Sequence, residues 1–377
     1  LHPSGLPYER WNLTTNSPVD EDNSPMHGIL LRLYFMLYTY TKNSTYVKWA
    51  YDYFEALYKY TINKTTWLPA FKVNYTSLKM MADWTSSYYV AIYTVEMSYL
   101  YRMTRNSTVR NVAFRLMNAL WNLRNKTTNI PPGRFRHTGE VYPYAYMDTG
   151  GMLYFIHVLL DWYKLTKNAT LLSMAEDLAK SLIKYFWIDS LDRWRYAVKS
   201  NGTPQYDYMR TYPLVRVWTL IRLSQLVGND TYAEYALKTI DFVIGKWELH
   251  NRYDEFETFS YNNTVSSWTH LRSTFFAQPL WFAFWLMKNV TYLDVLLDMY
   301  RWWKENRKSE YGYWFGNSYG DKWIEACNIF FAMHYPPFVL ELTKRLKRYV
   351  GCGIGDLAIL STDLLGFWYC DIRSLRL

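Results

Sequence analysis

The chain has 377 residues, half of them hydrophobic and a fifth aromatic, with 37 Tyr and 18 Trp. It is long enough to bury a large core, and its rings must either pack inside or face a ligand. The net charge of +9 is spread along the chain; its densest basic stretch, Lys344–Arg348, ends a predicted helix, where cations suit the dipole. No basic stripe points to nucleic acid. The longest apolar stretch, Phe275–Met287, falls short of the roughly 20 residues that span a bilayer, so no membrane span is predicted.

In chain order, the pattern alternates strongly apolar helices with amphipathic ones. The apolar set is Ile29–Tyr40, Ser87–Met103, Met152–Leu165, Leu214–Val227 and Phe275–Met287. Each is followed by an amphipathic helix: Tyr46–Tyr60, Val109–Leu123, Leu171–Phe186, Tyr232–Trp247 and Tyr292–Asn306. In the third of these, Leu171, Ala175, Leu178, Ala179 and Leu182 recur at helical spacing. A sixth pair, Trp323–His334 and Phe338–Tyr349, is broken by Pro336-Pro337. Helices apolar all round belong inside and amphipathic ones outside.

Between the members of each of the first five pairs lies an Asn-X-Ser/Thr motif, at Asn43, Asn106, Asn168, Asn229 and Asn289, spaced 63, 62, 61 and 60 residues apart. A period of this length marks a repeated supersecondary unit. Asn, Ser and Thr also suit the N-cap of the helix that follows, so each motif is expected to serve as cap and glycan acceptor together. Six more such motifs, at Asn12, Asn63, Asn74, Asn125, Asn201 and Asn262, bring the total to eleven, against roughly three by chance. That excess predicts covalent N-glycans and a secreted or cell-surface protein. The chain begins at Leu1, and a leader is expected to have been removed. Cys352 and Cys370 are expected to form a disulfide tying down the tail, with Cys327 a free thiol, although pairing through Cys327 is open as well. Only three Gln occur, which together with the charged and aromatic content suggests a thermophile's exported protein.

Six helical hairpins with inner and outer helices resemble the (α/α)6-toroid superfamily, which includes glycoside hydrolases, polysaccharide lyases and sugar epimerases. The resemblance covers roughly residues 26–349 and rests on architecture rather than on a signature motif. It implies an all-α toroid domain over 1–350 with short β-hairpin loops on one face, and a separate tail over 351–377. An open α-solenoid is the alternative. It also implies a sugar cleft at the N-termini of the inner helices, where the long connections 61–85, 124–149, 187–211, 248–273 and 307–322 emerge.

Those connections supply the candidate site residues. Breaking a glycosidic bond calls for two carboxyl groups across it, and Asp83, Asp148 and Asp321 stand where connections meet inner helices. Asp83 and Asp148 are read as repeat-equivalent. An Asp at a helix start is also an ordinary N-cap. Trp84, Tyr144, Trp194, Tyr208, Arg210, Trp268, His270 and Trp314 are the expected carbohydrate-binding set, since aromatic faces suit sugar rings; the same rings also suit ordinary packing. The hairpins expected there run over Arg134–Tyr144, Trp194–Tyr208 and Tyr311–Phe315. No HExxH motif, paired Cys/His spacing or phosphate-cradling loop appears, so neither metal nor cofactor is expected. The function these features imply is a secreted carbohydrate-active enzyme. The alternative is a non-catalytic surface-layer or filament glycoprotein that self-assembles through its tail.

Overall fold

The computed structural model describes residues 4–6, 11–12, 17–18, 22–23, 29–74, 77–206, 208–259, 262–269 and 276–307. Ten helices lie among them in five consecutive hairpins: α1 (Ile29–Thr41) with α2 (Thr45–Tyr60), α3 (Ser87–Thr104) with α4 (Ser107–Leu123), α5 (Thr149–Thr166) with α6 (Ala169–Phe186), α7 (Trp218–Val227) with α8 (Thr231–His250), and α9 (Ala277–Met287) with α10 (Thr291–Arg307). The sixth hairpin, the tail and Cys327, Cys352 and Cys370 lie outside the described residues. The chain forms two compact units, one chiefly Lys42–Ser190 with Trp194–Asp207, the other chiefly Tyr208 onward.

The two helix classes differ in burial as their sequences require. Every residue of α5 from Thr149 to Trp162 is buried. In α6 burial follows one stripe, Leu171, Met174, Ala175, Leu178, Ala179 and Leu182. Each Leu or Met of that stripe contributes about 1.5–3 kcal/mol on full burial, and each Ala correspondingly less.

One turn design recurs. The residue before each of the five periodic Asn residues is left-handed: Lys42, Arg105, Lys167, Gly228 and Lys288, with φ between 53° and 67°. Its N–H closes back on the inner helix, as from Lys167 to the Tyr163 carbonyl at 2.7 Å. The Asn then accepts through Oδ1 from the N–H two residues on, at 3.0, 2.7, 3.1, 3.1 and 3.0 Å along the series. The same bond forms at Asn63, Asn125, Asn201 and Asn262. Asn74 instead accepts from Ser77.

The long connections carry small strands: β1 (Trp11–Asn12), β2 (Ser17–Pro18), β3 (Asp22–Asn23), β4 (Lys72–Asn74), β5 (Met80–Ala82), β6 (Trp84–Ser86), β7 (Arg134–Arg136), β8 (Tyr146–Asp148), β9 (Trp187–Ile188), β10 (Arg193–Trp194), β11 (Ala197–Lys199), β12 (Pro204–Tyr206), β13 (Met209–Arg210), β14 (Glu255–Thr258) and β15 (Val265–Thr269). Strands β3, β6, β8 and β13 lie just ahead of an inner helix. Each pairs antiparallel with a strand of the next long connection: β3 with β4, β6 with β7, β8 with β11, β13 with β14. A hydroxyl at the start of α3, of α5 and of the 3-10 segment Tyr212–Arg216 ahead of α7 repeats the link. Ser87 donates to the Pro132 carbonyl, Thr149 to that of Arg195, and Thr211 to that of Phe256.

The structure corrects the sequence reading at one element and extends it at another. The fourth inner helix begins at Trp218, not Leu214, because Tyr212–Arg216 is a 3-10 segment with Pro213 in its first turn. Proline's missing N–H and fixed φ suit such a tight start. Arg134–Tyr144 forms the expected self-paired hairpin, closed by the Phe135–Val141 bridge and by the Arg136 N–H on the Glu140 carbonyl at 2.7 Å, but its strand β7 is not confined to that hairpin and also pairs with β6.

Candidate functional site

The first unit carries the best-defined candidate residues, where β6 and β8 run into α3 and α5. Asp148 ends β8 and caps α5, its Oδ1 accepting the Gly151 N–H at 2.6 Å. Burial raises its pKa above the ordinary Asp value; the backbone N–H groups of Gly151 and Gly150 pull the other way without cancelling it. The result is a carboxyl group that gives up its proton less readily than an ordinary Asp while remaining a good acceptor, a direction suited to a general acid.

Asp83 is differently placed. It is exposed, its carboxylate 3.5 Å from Arg136 and within 3.4 Å of the Tyr142 hydroxyl, while its carbonyl accepts the His137 N–H. The repeat equivalent of Asp148 is Ser86, which caps α3 by accepting the Tyr89 N–H at 3.3 Å. The expected equivalence of Asp83 and Asp148 is therefore corrected: the cap lies three residues beyond Asp83, and a serine fills it.

The aromatic candidates separate by burial. Trp194 has 0% exposure and packs edge-on to Trp187 at 4.8 Å, so it is core, not a sugar platform. Tyr144 is 86% exposed. Trp84 stacks on Phe71 at 3.9 Å, and the Arg134 guanidinium lies 3.9 Å from its ring. In the second unit, Arg210 lies over Tyr208 and pairs with Glu257 at 2.7 Å, while Trp268 meets Phe256, His250 and the Arg252 guanidinium. Asp321, His270 and Trp314 lie outside the described residues.

A polar cluster among the inner helices escaped the sequence reading. Arg32 of α1 meets Glu96 of α3 at 2.6 Å, and both are buried. Burial alone lowers the pKa of Arg32, but Glu96, Tyr99 and Tyr154 outweigh that and raise it. On α5, Asp161 lies 3.4 Å from His157 and 3.8 Å from Arg102. The available signal was charge inside apolar helices: Glu96 interrupts Ser87–Met103, and His157 and Asp161 stand four apart in Met152–Leu165. In the second unit, buried Arg216 donates to Gln278 at 2.5 Å. Among the described residues no group of three or more His, Cys, Asp or Glu side chains is close enough to hold a metal ion, and no helix is long and apolar enough to cross a membrane.

Known structures share this architecture. The chain is similar to cellobiose 2-epimerase from Bacillus thermoamylovorans B4167, at 14% identity over 91% of this chain and 93% of that one, with a TM-score of 0.73. It is also similar to the GH76 α-mannanase of Bacteroides thetaiotaomicron (12%, 88% and 90%, TM-score 0.63) and to α-1,2-mannosidase from Trichoderma reesei (13%, 85% and 78%, TM-score 0.66). The fold is the (α/α)6 toroid. At such identities the likeness carries the toroid fold and nothing finer. A family model, glycosyl hydrolase family 76, matches residues 9–170 of the toroid chain. No curated protein matches it by sequence.

Proposed function

We propose that the chain is a carbohydrate-active enzyme, with cleavage of α-mannosidic bonds as the reaction to test first. The observation that carries this reading is the match of residues 9–170 to glycosyl hydrolase family 76, a stretch that contains both Asp83 and Asp148. Named relatives in the fold act on glucosides and mannosides alike, so epimerisation of a sugar end is the next reaction to assay. Asp148 is the proposed general acid, because its half-buried carboxyl holds its proton more tightly than an ordinary Asp does. Asp83 and Asp321 are the candidates for the second carboxylate, with Tyr144, Tyr208, Arg210, Trp268, His270 and Trp314 for sugar contact. Trp84 stays in the set through its edge, since its ring is engaged by Phe71 and Arg134.

The proposal includes secretion and N-glycosylation. Nine motif Asn residues spend Oδ1 on the N–H two residues on, which leaves the amide nitrogen for a glycan; at Asn106 that nitrogen also donates to the Tyr51 hydroxyl at 3.3 Å. The Cys352–Cys370 disulfide, the tail as a separate segment and a hot habitat belong to the same reading.

The deciting assay is release of reducing sugar from α-mannan by the full chain. An Asp148→Asn protein should retain its cap, since Asn caps as well as Asp, and lose about 10²–10⁴-fold in kcat. Activity that survives the substitution removes Asp148 from the mechanism. The buried Arg32–Glu96 and Arg102–Asp161–His157 groups favour a second reading, in which the interior is committed to structure and the protein is a non-catalytic surface or filament glycoprotein. Self-assembly of purified protein that turns over no glycan would support it.

A further inference from the structure

Arg134 combines three properties that no other described cation of its connection shares. It is exposed, at the start of β7. Its guanidinium is laid over the Trp84 ring at 3.9 Å, so its position is fixed by stacking rather than by a carboxylate. Among the described residues it forms no ion pair, whereas its neighbour Arg136 is shared between Asp83 at 3.5 Å and Glu140 at 3.4 Å.

The backbone fixes where this cation sits. A Cβ on Gly133 would lie 1.5 Å from the Tyr146 carbonyl oxygen and 3.1 Å from the Met147 nitrogen. Residue 133 therefore lies directly against β8, within two residues of Asp148. Pro132 is held from the other side by the Ser87 hydroxyl at the start of α3. A preoriented guanidinium without an ion pair thus follows directly on the backbone that packs against β8, the strand that ends in the proposed acid. The carboxylates of Asp83 and Asp148 are engaged elsewhere, Asp83 by Arg136 and Asp148 by the Gly151 N–H.

We propose that Arg134 is an anchoring residue for an acidic substituent, a carboxylate or a phosphate, on the glycan bound at this face. The planar fork of Arg matches both groups, and stacking on Trp84 leaves its N–H edge for them. This rests on the carbohydrate reading above and narrows it to acidic glycans.

The test measures binding of the full chain to three polymers by titration calorimetry at low ionic strength: neutral α-mannan, phosphorylated α-mannan, and α-mannan oxidised to carry carboxylates. The wild-type protein is expected to bind at least one acidic polymer about tenfold more tightly than the neutral one, the ~1.4 kcal/mol of one charge-assisted contact. The preferred polymer separates phosphate from carboxylate, and added salt should erode the preference. Arg134→Gln should abolish the preference and leave neutral binding and thermal unfolding unchanged. Arg134→Lys, which keeps charge without the planar fork, should retain part of it. Equal binding to all three polymers, or a preference that persists in Arg134→Gln, overturns the inference alone. Binding to none of them overturns the carbohydrate reading and this inference with it.

Discussion

Asp148 is one side chain with two duties, and its titration separates them. As a cap it needs only an acceptor oxygen towards Gly151; as an acid it needs a proton. Its folded pKa is raised by burial, so the folded state binds that proton more tightly than the unfolded chain. The stabilisation this provides is complete below the ordinary value of 3.8 and is lost as pH rises through the folded value. Asp148→Asn keeps an acceptor but cannot ionise. Its melting temperature relative to wild type should therefore climb from pH 3 upwards and level off once Asp148 has ionised in the folded protein. A difference that stays flat between pH 3 and 8 contradicts the raised value. Sequence could place this Asp at a helix start, because Gly150-Gly151 and the apolar run mark the boundary. It could not distinguish Asp148 from Asp83, since burial depends on how β8 lies against β11 and Gly133. It also could not show Trp194 going inside, because an aromatic in a long connection suits a core and a binding face equally well.

At the scale of elements, the five described helical hairpins were legible to within about three residues at most of their ends. The signal was local and repeated five times: an apolar run, an Asn-X-Ser/Thr turn, an amphipathic run. The largest miss, the start of α7, fell where Pro213 lies in a 3-10 segment ahead of the helix. The strands were much less legible. Segments of two to five residues have little periodicity to read, and their partners lie some 50 residues away, as between Trp84–Ser86 and Arg134–Arg136. The turns also leave a measurable opportunity. Four of the five left-handed positions carry Lys or Arg, and only Gly228 is glycine. A side chain in that conformation costs roughly 1–2 kcal/mol, of which a cation at a helix C-terminus recovers about 0.3–1 kcal/mol. Lys167→Gly should accordingly raise unfolding free energy by about 0.5–1 kcal/mol in denaturant titrations. Gly228→Ala should lower it by about 1 kcal/mol, through conformation alone, as a Cβ there meets nothing within 4 Å.

Across the molecule, the toroid fold followed from counting repeats, whereas the chemistry of its interior did not. Glu96 and Arg32 stand 64 residues apart, and nothing in either helix announces the other. Their pairing ties the first inner helix to the second. Glu96→Gln would leave the Arg32 charge buried beside a neutral amide, and should cost about 3–5 kcal/mol. Replacing both residues with Met should cost much less, which a double-mutant comparison of chemical unfolding would reveal. If Glu96→Gln alone is near neutral, Arg32 has another counter-charge and the interior is more polar than these partners suggest.

The staggered pairing of β3, β6, β8 and β13 with the connection that follows has a consequence for how the chain can be opened. Each of the turns at Asn43, Asn106, Asn168 and Asn229 is bracketed by a strand pair whose two members lie on opposite sides of it, as Asp148 and Ala197 lie either side of Asn168. A protease nick at such a turn severs the polymer yet leaves a sheet and a helix pair joining the pieces. These four Asn turns are thus the places where the protein could be made from two separately synthesised fragments, or given new termini, with the strand pairs and helix contacts still joining the pieces.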